Sequence, residues 1–254
     1  MTQNGTVVIL PDIQYPYHDK RFVNALIDFV AAFQPDELGQ IGDLIDQPEP
    51  SRWNKGMAGE YAGTLQESLT GTTDLLSRFR EAAGDIPFWI KEGNHDLRVA
   101  AYVSRYAPAL GVLTALDMVS LLGLDALGIE YRRDVFSVAP GWLAAHGHEG
   151  SLNRVSGSTA LSLARKFGMS VVCGHTHRLG MQHETTGMSN RLRTITGMEV
   201  GHAMDMSKAG YLPGGTANWQ QGFGILRVRN GRTHAQLVPV VNRAFVVDDV
   251  TYKF

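Results

Sequence analysis

Residues 6–43, TVVILPDIQYPYHDKRFVNALIDFVAAFQPDELGQIGD, decide the fold. Thr6–Leu10 is a short apolar run, and turn-rich Pro11–Asp19 follows it. Phe22, Ala25, Leu26, Phe29, Val30 and Phe33 then recur at the spacing of one helix face. Asp19 stands where an N-cap is needed, and Pro35 ends the helix because proline bars the helical conformation from the residue before it. Glu37–Ile41 reads as a second strand running into Gly42-Asp43. Strand, helix and strand at this spacing begin the alternation that builds a mainly parallel sheet.

Further along, a polar stretch from Gln47 to about Gly59 precedes a long helix carrying Leu65, Leu69, Leu76 and Phe79 on one face. Ile86–Ile90 is a strand closing on Gly93-Asn94-His95-Asp96. Residues 97–128 hold Val99, Val103, Leu110, Leu113, Leu116, Val119 and Leu122 with few turn signals, which predicts two or three helices. They either cap the site or form an outer layer, and the leucine spacing argues first for packing. Trp142–Ala145 leads as a strand into His146, Ala160–Phe167 is a helix, and Ser170–Cys173 is a strand into Gly174-His175. Phe223–Val228, Ala235–Val241 and Ala244–Val247, separated by Gly and Asn turns, predict antiparallel strands late in the chain. With no repeat or linker, the expectation is one α/β domain over residues 1–254, two packed sheets flanked by helices.

Composition excludes several classes. A 254-residue chain with 44% hydrophobic and 19% charged residues is neither disordered nor fibrous. Its 23 basic and 25 acidic residues leave a formal charge of -2, so no global field draws it to nucleic acid or anionic lipid. No apolar stretch reaches membrane-spanning length, and the first ten residues lack the features of a signal peptide, so a cytoplasmic location is expected. Cys173, the only cysteine, rules out an intramolecular disulfide and a thiolate metal cage, and beside Val171 and Val172 it reads as a small buried group.

Five apolar runs end in residues able to hold a metal: Leu10 before Asp12, Ile41 before Asp43, Ile90 before Asn94, Ala145 before His146, and Cys173 before His175. Taken singly, each reads as a turn or cap residue. In α/β sheets ligands gather beyond the carboxyl ends of the strands, which would bring all five to one cleft. Carboxylate, amide and imidazole together suit Mn²⁺, Fe or Zn²⁺ better than copper or Ca²⁺. The donors are too many for one ion. With Asp43 shared they divide into two groups, and ions about 3.5–4 Å apart can hold the attacking and leaving oxygens of a phosphoryl centre.

In order, Asp12-Ile13-Gln14, Gly42-Asp43-Leu44-Ile45-Asp46, Gly93-Asn94-His95-Asp96, His146-Gly147-His148 and Gly174-His175-Thr176-His177 closely resemble the calcineurin-like metallophosphoesterase superfamily. The resemblance spans residues 12–177, and its strength is the joint order of the five motifs. Residues 10–19 are also similar to short phosphoesterases of bacteriophages and their actinobacterial hosts. The resemblance implies an α/β/β/α fold and a first metal site of Asp12, Gln14, bridging Asp43 and His177. It implies a second site of Asp43, Asn94, His146 and His175. His95 is implied as the leaving-group acid, with Asp46 accepting its other ring N–H, and a hydroxide between the ions as the nucleophile. His148 and Arg178 are candidates for substrate contact. Two divalent ions are expected, Mn²⁺ first, with Fe, Zn²⁺ or Ni²⁺ as alternatives. The superfamily has Asp-x-His in its first motif where this chain has Gln14. A neutral amide is the weaker donor, which moves the first site toward a harder ion such as Mn²⁺.

The favoured substrates are small phosphodiesters or nucleotides, cyclic ones included. Gln47-Pro48 follows Asp46 where protein Ser/Thr phosphatases carry Arg-Gly, and Asp96 stands where they carry Glu. A nuclease or phosphomonoesterase on the same site is the alternative, with nucleic acid not favoured as a partner. A non-catalytic scaffold ranks behind both because His95 and Asp46, which serve turnover rather than folding, are present. No membrane partner is expected, and the sequence sets no oligomeric state. Tyr15, Tyr17 and His18 are candidates for the cleft mouth, and Trp219 for stacking or packing. Arg98, Arg105, Arg132, Arg133, Arg154, Arg165 and Lys166 are candidates for a basic rim, while His183, His202 and His234 receive no role.

Overall fold

The structure, a computed structural model, describes residues 4–51, 64–208 and 217–254. The polar stretch read from Gln47 to Gly59 therefore lies outside the described residues beyond Ser51. Strand β1 (Gly5–Leu10) is buried throughout. Its alternation sends Val8 and Leu10 to one core and Val7 and Ile9 to another. Helix α1 (Lys20–Phe33) starts where the Asp19 carboxylate accepts the backbone N–H groups of Arg21 and Phe22. It ends at Gln34, which turns to φ 50° immediately before Pro35. Strand β2 (Glu37–Gln40), helix α2 (Leu65–Ala83) and strand β3 (Phe88–Lys91) follow, α2 opening on a reciprocal Thr64–Glu67 capping box.

The segment after β3 is less regular than its leucines predict. It holds α3 (Arg98–Tyr106), two single 3-10 turns and the four-residue α4 (Met118–Leu121). Val99 and Leu122 are buried, but Leu110 and Leu113 are 46% and 49% exposed, so their spacing does not report packing. Next come β4 (Glu130–Arg132), β5 (Phe136–Ala139), β6 (Trp142–Ala144), α5 (Ser158–Phe167), β7 (Ser170–Cys173), β8 (Leu179–Thr186) and β9 (Arg193–Val200). The chain closes with β10 (Gly222–Arg229), β11 (Arg232–Pro239), β12 (Ala244–Val247) and β13 (Val250–Lys253).

The strands form two main sheets, ordered β11-β10-β1-β2-β3-β4 and β5-β6-β7-β9-β8, and a separate β12-β13 hairpin. In the first sheet β1 to β4 are parallel and β10 and β11 antiparallel, as the late Gly and Asn turns predict. In the second, β6, β7 and β9 are mutually parallel. Val7, Ile9, Trp89, Val172, Met198 and Leu226 fill the space between the sheets. Phe22, Leu26, Phe29, Leu76 and Phe79 cover the outer face of the first sheet, and Ala160, Leu161 and Ala164 of α5 cover that of the second. This is the expected two-sheet sandwich between helices, an α/β/β/α arrangement. Among the described residues no helix is long and apolar enough to cross a membrane.

Candidate metal centre

Each motif begins where a parallel strand ends: Asp12 after β1, Asp43 after β2, Asn94 and His95 after β3, His146 after β6, and His175 and His177 after β7. The carboxyl ends of both sheets meet there, and the donors converge. His177 Nε2 lies 3.3 Å from Asp12 Oδ2 and 3.4 Å from Gln14 Nε2, which is 3.2 Å from Asp43 Oδ2. On the other side of Asp43, the same Oδ2 is 3.3 Å from His146 Nε2, which is 3.2 Å from Asn94 Oδ1. Asp43, His146 and His175 each offer a ligand atom within 4.8 Å of the others. One carboxylate thus serves both groups.

Local backbone makes this convergence possible. Gln14, Asp43, His175 and His177 all have φ between 51° and 65°, a left-handed conformation that non-glycine residues rarely hold and that clusters at functional sites. Glycines allow close approach: a Cβ on Gly93 would lie 2.1 Å from Asp43 N, and one on Gly174 would lie 2.0 Å from Asp12 Oδ1. Asp96, fully buried, accepts the backbone N–H groups of Asp43 at 3.0 Å, Ile45 at 3.3 Å and Gly93 at 2.8 Å, joining the β2 and β3 loops. Burial, reinforced by the Asp43 charge, pushes its carboxyl up to about 7.

The electrostatics keep the shared carboxylate ionised. Burial opposes ionisation of Asp43, yet His146 and His95 hold its carboxyl well below the usual range. Burial likewise opposes charge on His146, but Asp43 and then Asp12 outweigh it and raise that ring to about 10. His175, beside His146, is pushed down to about 4 by burial and by its neighbour. Asp12 Oδ1 and Gln14 Oε1 are buried without a hydrogen-bond partner, a costly state that a cation would relieve. Amide oxygen and nitrogen are interchangeable by a half-turn, so Gln14 can face Asp43 and His177 with its carbonyl instead. The His146 Nδ1–H donates to the Ile41 carbonyl at 2.9 Å, which turns Nε2 toward Asp43 and Asn94, where a cation would take the place of its proton. Mixed oxygen and nitrogen donors around a shared carboxylate fit divalent ions.

His95 Nδ1 is 2.6 Å from Asp46 Oδ1, and its Nε2 is 3.8 Å from Asp43 Oδ2. Burial lowers its ring pKa, but Asp43 and Asp46 outweigh this and leave it raised. Arg98, at the start of α3, donates to Asp46 Oδ2 at 3.1 Å and lies 3.3 Å from His95 Nε2. Of the proposed basic rim only Arg98 is seen to reach the site: Arg132 pairs with Glu130, Arg133 with Asp117, and Arg165 with Glu184. Arg178 donates to the Asn153 carbonyl. His148 is exposed, its ring 5.3 Å from that of His146. Tyr15 stacks on buried His18 at 5.0 Å, and Cys173 is packed in the core with its thiol pKa raised by burial.

Three residues without a role in the sequence reading, His202, Glu199 and Glu149, support the site, together with Trp219, a candidate there for stacking or packing. His202 is buried, stacked on His177 at 5.1 Å, and Trp219 meets His177 edge-on at 4.2 Å. Glu199, fully buried, accepts Thr176 Oγ1–H at 2.8 Å and the Thr159 N–H at the start of α5 at 2.9 Å. Glu149 accepts the backbone N–H groups of His146 and Gly147. The signal available was polarity directly beside a motif or at the end of a buried strand.

No family model matches this chain. The gene 54 protein of Mycobacterium phage D29 is 40% identical over 246 residues, covering 95% of this chain and 96% of its own. That of Mycobacterium phage L5 is 38% identical over the same coverage. The chain belongs to the family of these phage gene 54 proteins. The likeness of the N-terminal stretch to phage proteins agrees with that family. Among solved structures, Vps29 of Entamoeba histolytica complexed with Zn²⁺ aligns with 98% of this chain and 99% of its own at 13% identity, with a TM-score of 0.48. Yfce, a phosphoesterase from E. coli, aligns with 94% of this chain and 90% of its own at 13% identity and a TM-score of 0.39. The Pseudomonas putida nuclease MPE aligns with 91% of this chain and 86% of its own at 12% identity and 0.35. The resemblance of this gene 54 family member to calcineurin-like metallophosphoesterases rests on its motif order and on the convergence of those motifs.

Proposed function

We propose that the chain is a binuclear metal-dependent phosphoesterase acting on phosphodiesters, small or cyclic nucleotides first. One observation carries this reading: Asp43 Oδ2 lies between the Gln14 amide at 3.2 Å and His146 Nε2 at 3.3 Å, so a single carboxylate joins two donor groups. Asp12, Gln14, Asp43 and His177 would hold one ion, and Asp43, Asn94, His146 and His175 the other. When bound, such ions supply Lewis acidity toward phosphoryl oxygens and lower the pKa of water. Mn²⁺ heads the candidates because the amides of Gln14 and Asn94 add hard oxygen donors to the imidazoles.

The chain's own residues supply the rest. Asp46 fixes His95 through Nδ1, so the protonated ring presents Nε2–H to a leaving oxygen and can transfer that proton as the P–O bond breaks. Arg98 donates to Asp46 at 3.1 Å and stands 3.3 Å from His95 Nε2. A diester is favoured over a monoester because the position after Asp46 provides no cation, the Gln47 side chain accepting the Val99 N–H at 3.0 Å and pointing its amide at Met118 Sδ at 3.3 Å, and because Arg98, the cation beside His95, is engaged by the Asp46 carboxylate at 3.1 Å. A diester carries one negative charge and needs that clamp less than a dianionic monoester does.

Hydrolysis of bis-p-nitrophenyl phosphate and p-nitrophenyl phosphate, each with and without Mn²⁺, tests the proposal. The expected result is Mn²⁺-dependent release from the diester in excess of the monoester, lost in His146→Ala. Hydrolysis of neither compound would leave a non-catalytic role, and full activity in Asn94→Ala would contradict the ligand assignment.

A further inference from the structure

Lys91 is a lysine without solvent, its side chain 1% exposed at the last position of β3. Lysine is almost never fully buried unless paired, so its setting calls for a reason. Its ammonium has three partners: the Glu92 carbonyl at 2.9 Å, the Arg133 carbonyl at 2.8 Å, and Glu149 Oε1 at 3.2 Å. Glu149 belongs to the other sheet's loop, just beyond β6. Its Oε1 accepts the His146 backbone N–H at 3.1 Å and its Oε2 accepts that of Gly147 at 2.7 Å. The pair therefore links the two sheets at the point where each delivers a donor. Asn94 lies three residues past Lys91, His146 lies three before Glu149, and their side chains meet at 3.2 Å.

Resting on the metal-centre reading above, we propose that Lys91 and Glu149 are positioning residues that hold Asn94 and His146 in register as donors of the second ion. Neither touches the ion. Lys91 anchors the end of β3 from which Asn94 projects, and Glu149 fixes the turn that aims His146 Nε2 at Asp43. Asp12, Gln14 and His177 have no contact with the pair among the interactions of the described residues, so the first ion should not sense its loss. Partners one step behind metal ligands typically change affinity by about 10–100-fold.

The test is Mn²⁺ binding to metal-stripped full-length chain, followed by calorimetry and by metal analysis after gel filtration, in wild type, Glu149→Gln, Lys91→Met and the double variant. Each single change leaves one buried charge without its counter-ion, which destabilises the fold by itself, whereas the double variant removes both charges and escapes that cost. The double variant should fold with near-wild-type circular dichroism and thermal midpoint, bind its first Mn²⁺ as wild type does, and bind the second about 10–100-fold more weakly. Wild-type affinity for both ions in the double variant would overturn the proposal, as would equal weakening of both, the mark of a merely structural pair. A wild-type chain that binds two ions while these variants do too defeats this inference alone. A wild-type chain that binds none defeats the metal-centre reading and this inference with it.

Discussion

Gly174→Ala separates the chemistry of the site from the stability of the sandwich. Gly174 directly follows β7, and its backbone lacks the positive φ that would strain any side chain. Only space opposes the substitution. The new methyl would lie 2.0 Å from Asp12 Oδ1 and 2.7 Å from Ile41 Cγ2, and Cβ contacts essentially never fall below 3.0 Å, so the Asp12 carboxylate or the β7 loop must yield by at least 1 Å. Displacement of about 1 Å at a reacting centre costs on the order of 10²-fold in rate. Overpacking costs about 1–3 kcal/mol, which lowers the thermal midpoint of a chain this size by roughly 2–12 °C. The variant should therefore fold, melt somewhat earlier, and lose about 10²-fold in Mn²⁺-dependent diester hydrolysis. Gly128→Ala is the control: its φ is 61° with no atom within 4 Å, so it should cost about 1 kcal/mol and leave hydrolysis alone. A folded Gly174→Ala with wild-type hydrolysis would show that Asp12 has no part in the reaction.

Three further outcomes are expected. His95→Ala should lower turnover by about 10²–10⁴-fold while both Mn²⁺ ions remain bound, because the ring donates a proton and holds no ion; loss of an ion would place His95 among the ligands. Gln14→His should tighten the first site, seen as higher metal content after dialysis, and equal occupancy in both proteins would show that the amide is no weaker a donor. His18 is buried, and burial, with Lys208 and Lys20 adding to it, pushes its ring from 6.5 down to about 4. The unfolded chain thus binds the extra proton first, so stability is full above about pH 6.5 and falls by ~3 kcal/mol as pH drops to about 4. Urea unfolding should show the loss in His18→Phe, which keeps a ring against Tyr15, smaller than in wild type by that amount, with His175 still contributing its own share; identical pH dependence in the two proteins would remove His18 as a cause.

The fold was legible where local pattern and tertiary burial agree. β1 and β7 are apolar on both faces because each lies between two cores, and the sequence shows them as unbroken runs. β8 was not foreseen: it lies at a sheet edge, largely half-exposed, and Leu179–Thr186 carries no clean alternation. In residues 97–128 the leucines mislead because Leu110 and Leu113 face solvent. Ligand candidates stood out since each ends an apolar run, a local signal. The supporting residues did not. Lys91 and Glu149 are 58 positions apart, and His202 is 25 from His177; each acquires meaning only from a partner that the fold supplies.

Anomalous diffraction from crystals soaked in Mn²⁺ is the most direct examination of the centre. Two peaks are expected on either side of Asp43, one contacted by Asp12, Gln14 and His177 and the other by Asn94, His146 and His175. Soaked crystals with no manganese against Asp43, or with these side chains turned away from the metal they do contain, would contradict it.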